Sequence, residues 1–178
     1  MTNLYLYRHG QTEENIRHIL QGHMPGTLSE EGKQQTIESA PAVEALGIDV
    51  VLVSDLKRCT DTYELLSQHI QSLPPMITTK LLRERGWGSA TGIIVDGKKR
   101  ITIPDDAESV KALRNRAKIF IDYVQSTYHG KNVLAISHGL FCRFIQSVFY
   151  KKDIPDIIPM KNNEIRKINL TTPPMPIR

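Results

Sequence analysis

Apolar residues along this chain fall into two rhythms. Short, nearly unbroken apolar runs of strand length occupy residues 4–7 (LYLY), 50–53 (VVLV) and 133–136 (VLAI), with a weaker run at 75–80. Residues 164–170 instead alternate polar and apolar, as a half-exposed edge strand does. Between these runs the spacing is helical. Ile37, Ala40, Val43 and Leu46 share a face in a helix over 29–46, which Pro41 is expected to kink or interrupt. Leu56, Cys59, Tyr63, Leu66 and Ile70 mark a second helix. Val110, Leu113, Ala117, Phe120, Ile121 and Val124 form the clearest stripe, in a helix over 108–128. Phe141, Ile145, Val148 and Phe149 indicate another after Gly139.

Strands that alternate with helices predict an α/β fold: a three-layer sandwich with a mostly parallel central sheet, helices on both faces and an antiparallel edge strand. No linker or repeat divides the chain, so residues 1–178 read as one domain. Residues 92–104 (GIIVDGKKRITIP) break the pattern. Their Asp96-Gly97 pair predicts a β-hairpin flap carrying Lys98, Lys99 and Arg100. These cations could meet a second anionic group, or form a solvated tip. The proline-rich residues 171–178 read as an irregular tail.

Composition narrows the class only a little. The net charge of +4 suits acidic partners, such as phosphorylated small molecules, phosphoproteins or nucleic acid, or serves solubility alone. Cys59 and Cys142 match no metal-ligand spacing and read as reduced packing residues. No apolar run approaches the ~20 residues of a membrane helix. Met1 leads straight into the first strand without a signal-peptide pattern, so a cytoplasmic location is the expectation.

Candidate chemistry gathers at the carboxyl ends of the strands, where open parallel sheets bind ligands. The first strand delivers Arg8 and His9, the second Ser54, Asp55 and then Arg58, the fourth Ser137 and His138. Two imidazoles and two guanidiniums on one rim suit phosphoryl transfer. Arginine forks match phosphate oxygens, fixed cations stabilise the transferring group, and a neutral imidazole is a competent nucleophile. The helices beginning near Leu56 and Gly139 are expected to add N–H groups and positive dipole ends.

These residues resemble the histidine phosphatase superfamily, also called the phosphoglycerate mutase-like family. LYLYRHGQTEEN resembles its strand followed by Arg-His-Gly, and LQGHMPGTLSEEGKQQ its Gln-Gly segment and helix start, with Ser29 in place of Thr. VLVSDLKRCTDT, LLRERGWG and VLAISHGLFCR are similar to three further motifs, in family order from residue 4 to about 144. The resemblance implies a metal-independent phosphatase, without cofactor, in which His9 becomes phosphohistidine. It implies that Arg8, Arg58 and His138 hold the phosphoryl group, that Glu84 gives a proton to the leaving oxygen and then activates water, and that Asn15, Gln21, Gly22 and Gly139 lie on the substrate side. The partner expected is a phosphorylated small molecule rather than nucleic acid or a membrane.

Two physical requirements follow from these roles. His9 must donate its other ring N–H to a backbone carbonyl to keep a lone pair for phosphorus. Glu84 must be partly desolvated to hold a proton, which a salt bridge to Arg83 or Arg85 opposes. The stretch from Gly86 to Gly92 lacks the Trp-Glu that family members often carry after the acid. Only about twenty residues separate Trp87 from Glu108, whereas glycolytic mutases of the family carry a longer insertion there. The shorter chain favours hydrolysis over phosphoryl return. A mutase, or a non-catalytic phosphoryl-binding module, is the alternative.

Overall fold

The computed structural model describes residues 1–95 and 102–171. Strand β1 spans Thr2–Arg8, and a single helical turn α1 spans Glu13–Ile16. Then follow α2 (Glu30–Glu44), β2 (Val50–Ser54), α3 (Lys57–His69) and β3 (Met76–Thr79). Two short 3₁₀ turns, at Lys80–Leu82 and Gly88–Ala90, lead to α4 (Val110–Thr127). The order closes with β4 (Asn132–Ser137), α5 (Gly139–Tyr150), a third 3₁₀ turn and β5 (Ile165–Leu170).

The five strands lie in the order β3-β2-β4-β1-β5. β3, β2, β4 and β1 are parallel, and β5 runs antiparallel at the edge beside β1. The pleat sends alternate residues to opposite faces. Leu4, Leu6, Leu52, Val133 and Ala135 join the core under α4 and α5. Tyr5, Tyr7, Val51, Val53, Leu134 and Ile136 join the core under α2 and α3. This is the expected three-layer α/β sandwich.

The layering fixes where the site falls. The helix after β1 lies on one face and the helix after β4 on the other, although β1 and β4 are neighbours. That is a topological switch point, where a crevice opens beyond the strand ends. The register pairs Arg8 with Ser137, so His9 and His138 leave the sheet side by side.

Two local expectations change. Helix α2 runs on through Pro41 to Glu44 without interruption, because the proline lies only one turn from the end. Its buried face is Gly32, Thr36, Ala40 and Val43, rotated from the expected one. The chain just after β1 is the cause: a Cβ on Gly32 would lie 2.1 Å from the Gln11 carbonyl oxygen. Of the predicted flap, positions 96–101 fall outside the described residues, as do 172–178 of the predicted tail. The first flap run pairs with the segment before Gln21: Ile94 bridges Ile19, and Val95 N–H donates to the His18 carbonyl.

Candidate active site

His9 follows β1 and is 3% exposed. Its Nδ1 lies 2.7 Å from its neighbour Gly10's carbonyl oxygen, which fixes the proton on that nitrogen. Nε2 then carries the lone pair. Gly10 is required here, since a Cβ would sit 2.7 Å from Thr36 Oγ1. Its N–H donates to Thr62 Oγ1 of α3 at 3.0 Å.

His138, at the equivalent position after β4, is wholly buried. Arg58 Nε lies 3.1 Å from His138 Nδ1 and 3.3 Å from His9 Nε2. An arginine N–H only donates, so both nitrogens act as acceptors and both rings are neutral. His138 therefore carries its proton on Nε2 and gives it to Ser54 Oγ at 2.8 Å. Burial first, and then the Arg58 cation, hold both imidazoles well below the usual histidine pKa. The rings meet edge to face with centroids 5.2 Å apart. Both cysteines are buried thiols: burial pushes Cys59 up and Cys142 up to about 12.

The guanidiniums are placed differently from the expectation. Arg58 spends its fork on the backbone, Nη1 donating to Met24 O at 2.6 Å and Nη2 to Gly22 O at 2.9 Å. It fixes the 22–24 loop and offers Nε to the histidines. Arg8 donates Nη1 to Met160 O, while its Nε is buried without a partner. A buried unpaired donor is costly, so Arg8 Nε marks a place for an acceptor. Gly139 makes that place open, because a Cβ there would lie 3.1 Å from both Nε and Cζ of Arg8.

The helix N-termini are also used otherwise than expected. Glu84 Oε2 accepts from Leu140 N–H and Oε1 from Phe141 N–H, both at 3.1 Å. Arg85 N–H adds a third bond at 2.9 Å. His138 provides no side-chain cap to α5, so the Glu84 carboxylate caps that helix from outside. At α3, Arg58 N–H donates to Pro25 O. The feared arginine pairing does not form with Arg83, which binds Asp55 bidentately with both distances 2.7 Å.

Arg8, His9, Asn15, Gln21, Gly22, Arg58, Glu84 and Gly139 all line one cavity of about 220 Å³, and His138 stands behind it. Asn15 Oδ1 accepts from Thr12 N–H and Asn162 Nδ2, and Gln21 Nε2 donates to Thr12 Oγ1. Gln21 Oε1 is buried without a partner. The sequence had placed Ser54 on the rim without a task. It left unassigned Asn162, whose Nδ2 donates to the His9 carbonyl at 2.9 Å. The apolar wall of Ile19, Leu20, Trp87 and Leu140 was missed as well. Only the tertiary fold brings these together, so no spacing signal could have found them.

This chain belongs to the histidine phosphatase superfamily (branch 1), which it matches over residues 4–172. It is 32% identical to a protein of Schizosaccharomyces pombe named "Probable phosphatase C1687.21" over 84% of this chain and 74% of that one. It is 30% identical to a broad-specificity phosphatase of Saccharomyces cerevisiae over 80% of this chain and 67% of that one. The fold superposes on Bacillus stearothermophilus YhfR with a TM-score of 0.87 at 22% identity, covering 96% of this chain and 92% of that one. Among the described residues no helix is long and apolar enough to cross a membrane.

Proposed function

We propose that the protein is a cytoplasmic, metal-independent phosphatase that hydrolyses a small phosphomonoester through a phosphohistidine on His9. His9 Nε2 attacks phosphorus, and the bond to the leaving alcohol oxygen breaks as Glu84 gives that oxygen a proton. Water then attacks the phosphohistidine, Glu84 takes the water's proton, and the N–P bond breaks to release inorganic phosphate. Splitting the reaction this way replaces one hard step by two easier ones.

The observation that carries this reading is the pairing of His9 Nδ1 with the Gly10 carbonyl beside the unpartnered Arg8 Nε. The first leaves a nucleophilic lone pair, and the second leaves a donor for a phosphoryl oxygen. Arg58, its fork pinned on Met24 and Gly22, keeps its cation beside His9 Nε2, where charge on the transferring group gathers. His138 stays neutral behind that contact, with its Nε2–H donated to Ser54 Oγ and its Nδ1 facing Arg58 Nε. Three N–H bonds, from Arg85, Leu140 and Phe141, fix the Glu84 carboxyl at the cavity wall, within reach of a leaving oxygen in the first half and of the attacking water in the second. The two relatives named as phosphatases support hydrolysis.

Rapid quenching of the protein with a phosphate ester should give an acid-labile phosphoryl mass gain on His9, followed by inorganic phosphate. No label with any ester would leave only the binding-module reading. Faster isomerisation of 3-phosphoglycerate with its bisphosphate primer than release of phosphate would make the protein a mutase.

A further inference from the structure

The cavity has a sharply divided lining. Arg8, His9 and Arg58 form the phosphoryl end. The rest of the lining carries the polar Asn15 and Gln21, an apolar wall of Ile19, Leu20, Trp87 and Leu140, and, among the described residues, one further ionisable side chain, Glu84. The cavity has room for roughly seven waters at ~30 Å³ each, enough for a phosphoryl group with a compact leaving group beside it.

That wall is rigidly held. The Arg85 guanidinium lies 4.6 Å from the Trp87 ring centroid, fixing the indole from outside. Leu20 exchanges backbone bonds with the next segment, donating to Ile93 O and accepting from Gly92 N–H. A neighbouring cavity of about 430 Å³ shares Arg8, Asn15, Ile19 and Leu20 and continues along Gln11, His18, Val95 and Asn162. Among the described residues, the cations at the phosphoryl end are the only arginines or lysines of either lining.

We infer that the leaving group this site prefers is compact, neutral and apolar-faced, seated between Leu20 and Trp87, and that it carries no second anionic group. The inference rests on the phosphatase reading and deepens it. An apolar ring or alkyl group gains by leaving water against this wall. A carboxylate or second phosphate seated against this wall would lose its hydration with no arginine or lysine beside it among the described residues.

The test compares unactivated alkyl esters, so that leaving-group chemistry does not decide the result. Benzyl phosphate should show a kcat/KM at least tenfold above that of 3-phosphoglycerate, with glycerol 3-phosphate between them. Trp87→Ala should cost benzyl phosphate at least tenfold and glycerol 3-phosphate less, and Trp87→Phe should restore most of the loss. Leu20→Ala should show the same selective loss, which guards against a folding defect at Trp87. Equal or faster turnover of 3-phosphoglycerate, with His9 still labelled, would overturn the inference and spare the phosphatase reading. If replacing Lys98, Lys99 and Arg100 by alanine then abolished that turnover, the specificity would belong to those cations. Release of phosphate from none of the esters would overturn both.

Discussion

The tips of β1 and β4 carry nearly the same residues, Arg8-His9-Gly10 and Ser137-His138-Gly139, at adjacent places in one sheet. Yet they make opposite surroundings. After β1 the chain leaves the strand in an irregular stretch and one helical turn, and His9 lines a cavity. After β4 it enters α5 at once, and His138 is sealed. Both His138 ring nitrogens have partners, Arg58 and Ser54, and Cys59 Sγ lies 3.5 Å from Nε2. The motif supplies the imidazole, but the path of the chain after it decides whether the ring can reach a ligand.

Replacing each ring by glutamine in turn separates the two tips most strongly. On the proposed mechanism, His9→Gln should leave no phosphoenzyme and lower kcat by at least ~10⁴-fold. His138→Gln should cost about 10²- to 10³-fold and still allow labelling, because it removes stabilisation but not the nucleophile. Quenched-flow mass measurement on both variants checks this. Persistent labelling without His9 would reverse the assignment.

Glu84 ties the β4 tip to the chemistry, since the same carboxylate caps α5 and lines the cavity. Glu84→Gln should lower kcat about 10²- to 10⁴-fold on an alkyl phosphate. The loss should be far smaller on p-nitrophenyl phosphate, whose leaving group needs no proton. Equal losses on both esters would confine Glu84 to capping, where the missing charge costs about 0.3–1 kcal/mol of stability.

The contrast between these tips was only half legible in the sequence. VVLV and VLAI announce buried parallel strands because both of their faces are covered, and the α4 stripe stands out for the same reason of burial. The placing of His9 and His138 on one rim follows from the strand-end rule. No local pattern encodes the order β3-β2-β4-β1-β5, which creates the switch point between them. Arg58 reads as a phosphate fork from its type alone, but the carbonyls of Met24 and Gly22 hold its terminal nitrogens. Gly32 reads as a weak helix residue until the chain at Gln11 is seen pressing on it.

Acidification tests what the two tips share. Both imidazoles are neutral in the folded protein and titrate well below the usual value, whereas in the unfolded chain they take up protons near pH ~6.5. Below that pH the unfolded state binds more protons, so stability falls as pH drops. The slope reaches up to about 2.7 kcal/mol per pH unit if both rings stay neutral. Asp55, held below its ordinary 3.8 chiefly by its Arg83 hydrogen bond, adds its own loss only at still lower pH. Urea midpoints between pH ~7 and ~5 should therefore decline steeply in the wild type and about half as steeply in His138→Gln. An unchanged decline in that variant would mean that the β4 imidazole does not stay neutral on folding.

The smallest effects come from the side chains that hold each tip in place. Ser54→Ala leaves the buried His138 Nε2–H with the weak acceptor Cys59 Sγ in place of the hydroxyl and should cost about 1–3 kcal/mol of stability. It should also loosen the tautomer that keeps Nδ1 facing Arg58, visible as a change in the imidazole ¹⁵N shifts. Asn162→Ala removes one bond to the His9 carbonyl near a cavity that water can enter, so about 0.5–1.5 kcal/mol is expected. Its kcat should fall only a few-fold, because Gly10 still fixes the His9 tautomer. A larger loss for Asn162→Ala than for Ser54→Ala would show that the exposed tip depends more on its outer support than the sealed tip does on its inner one.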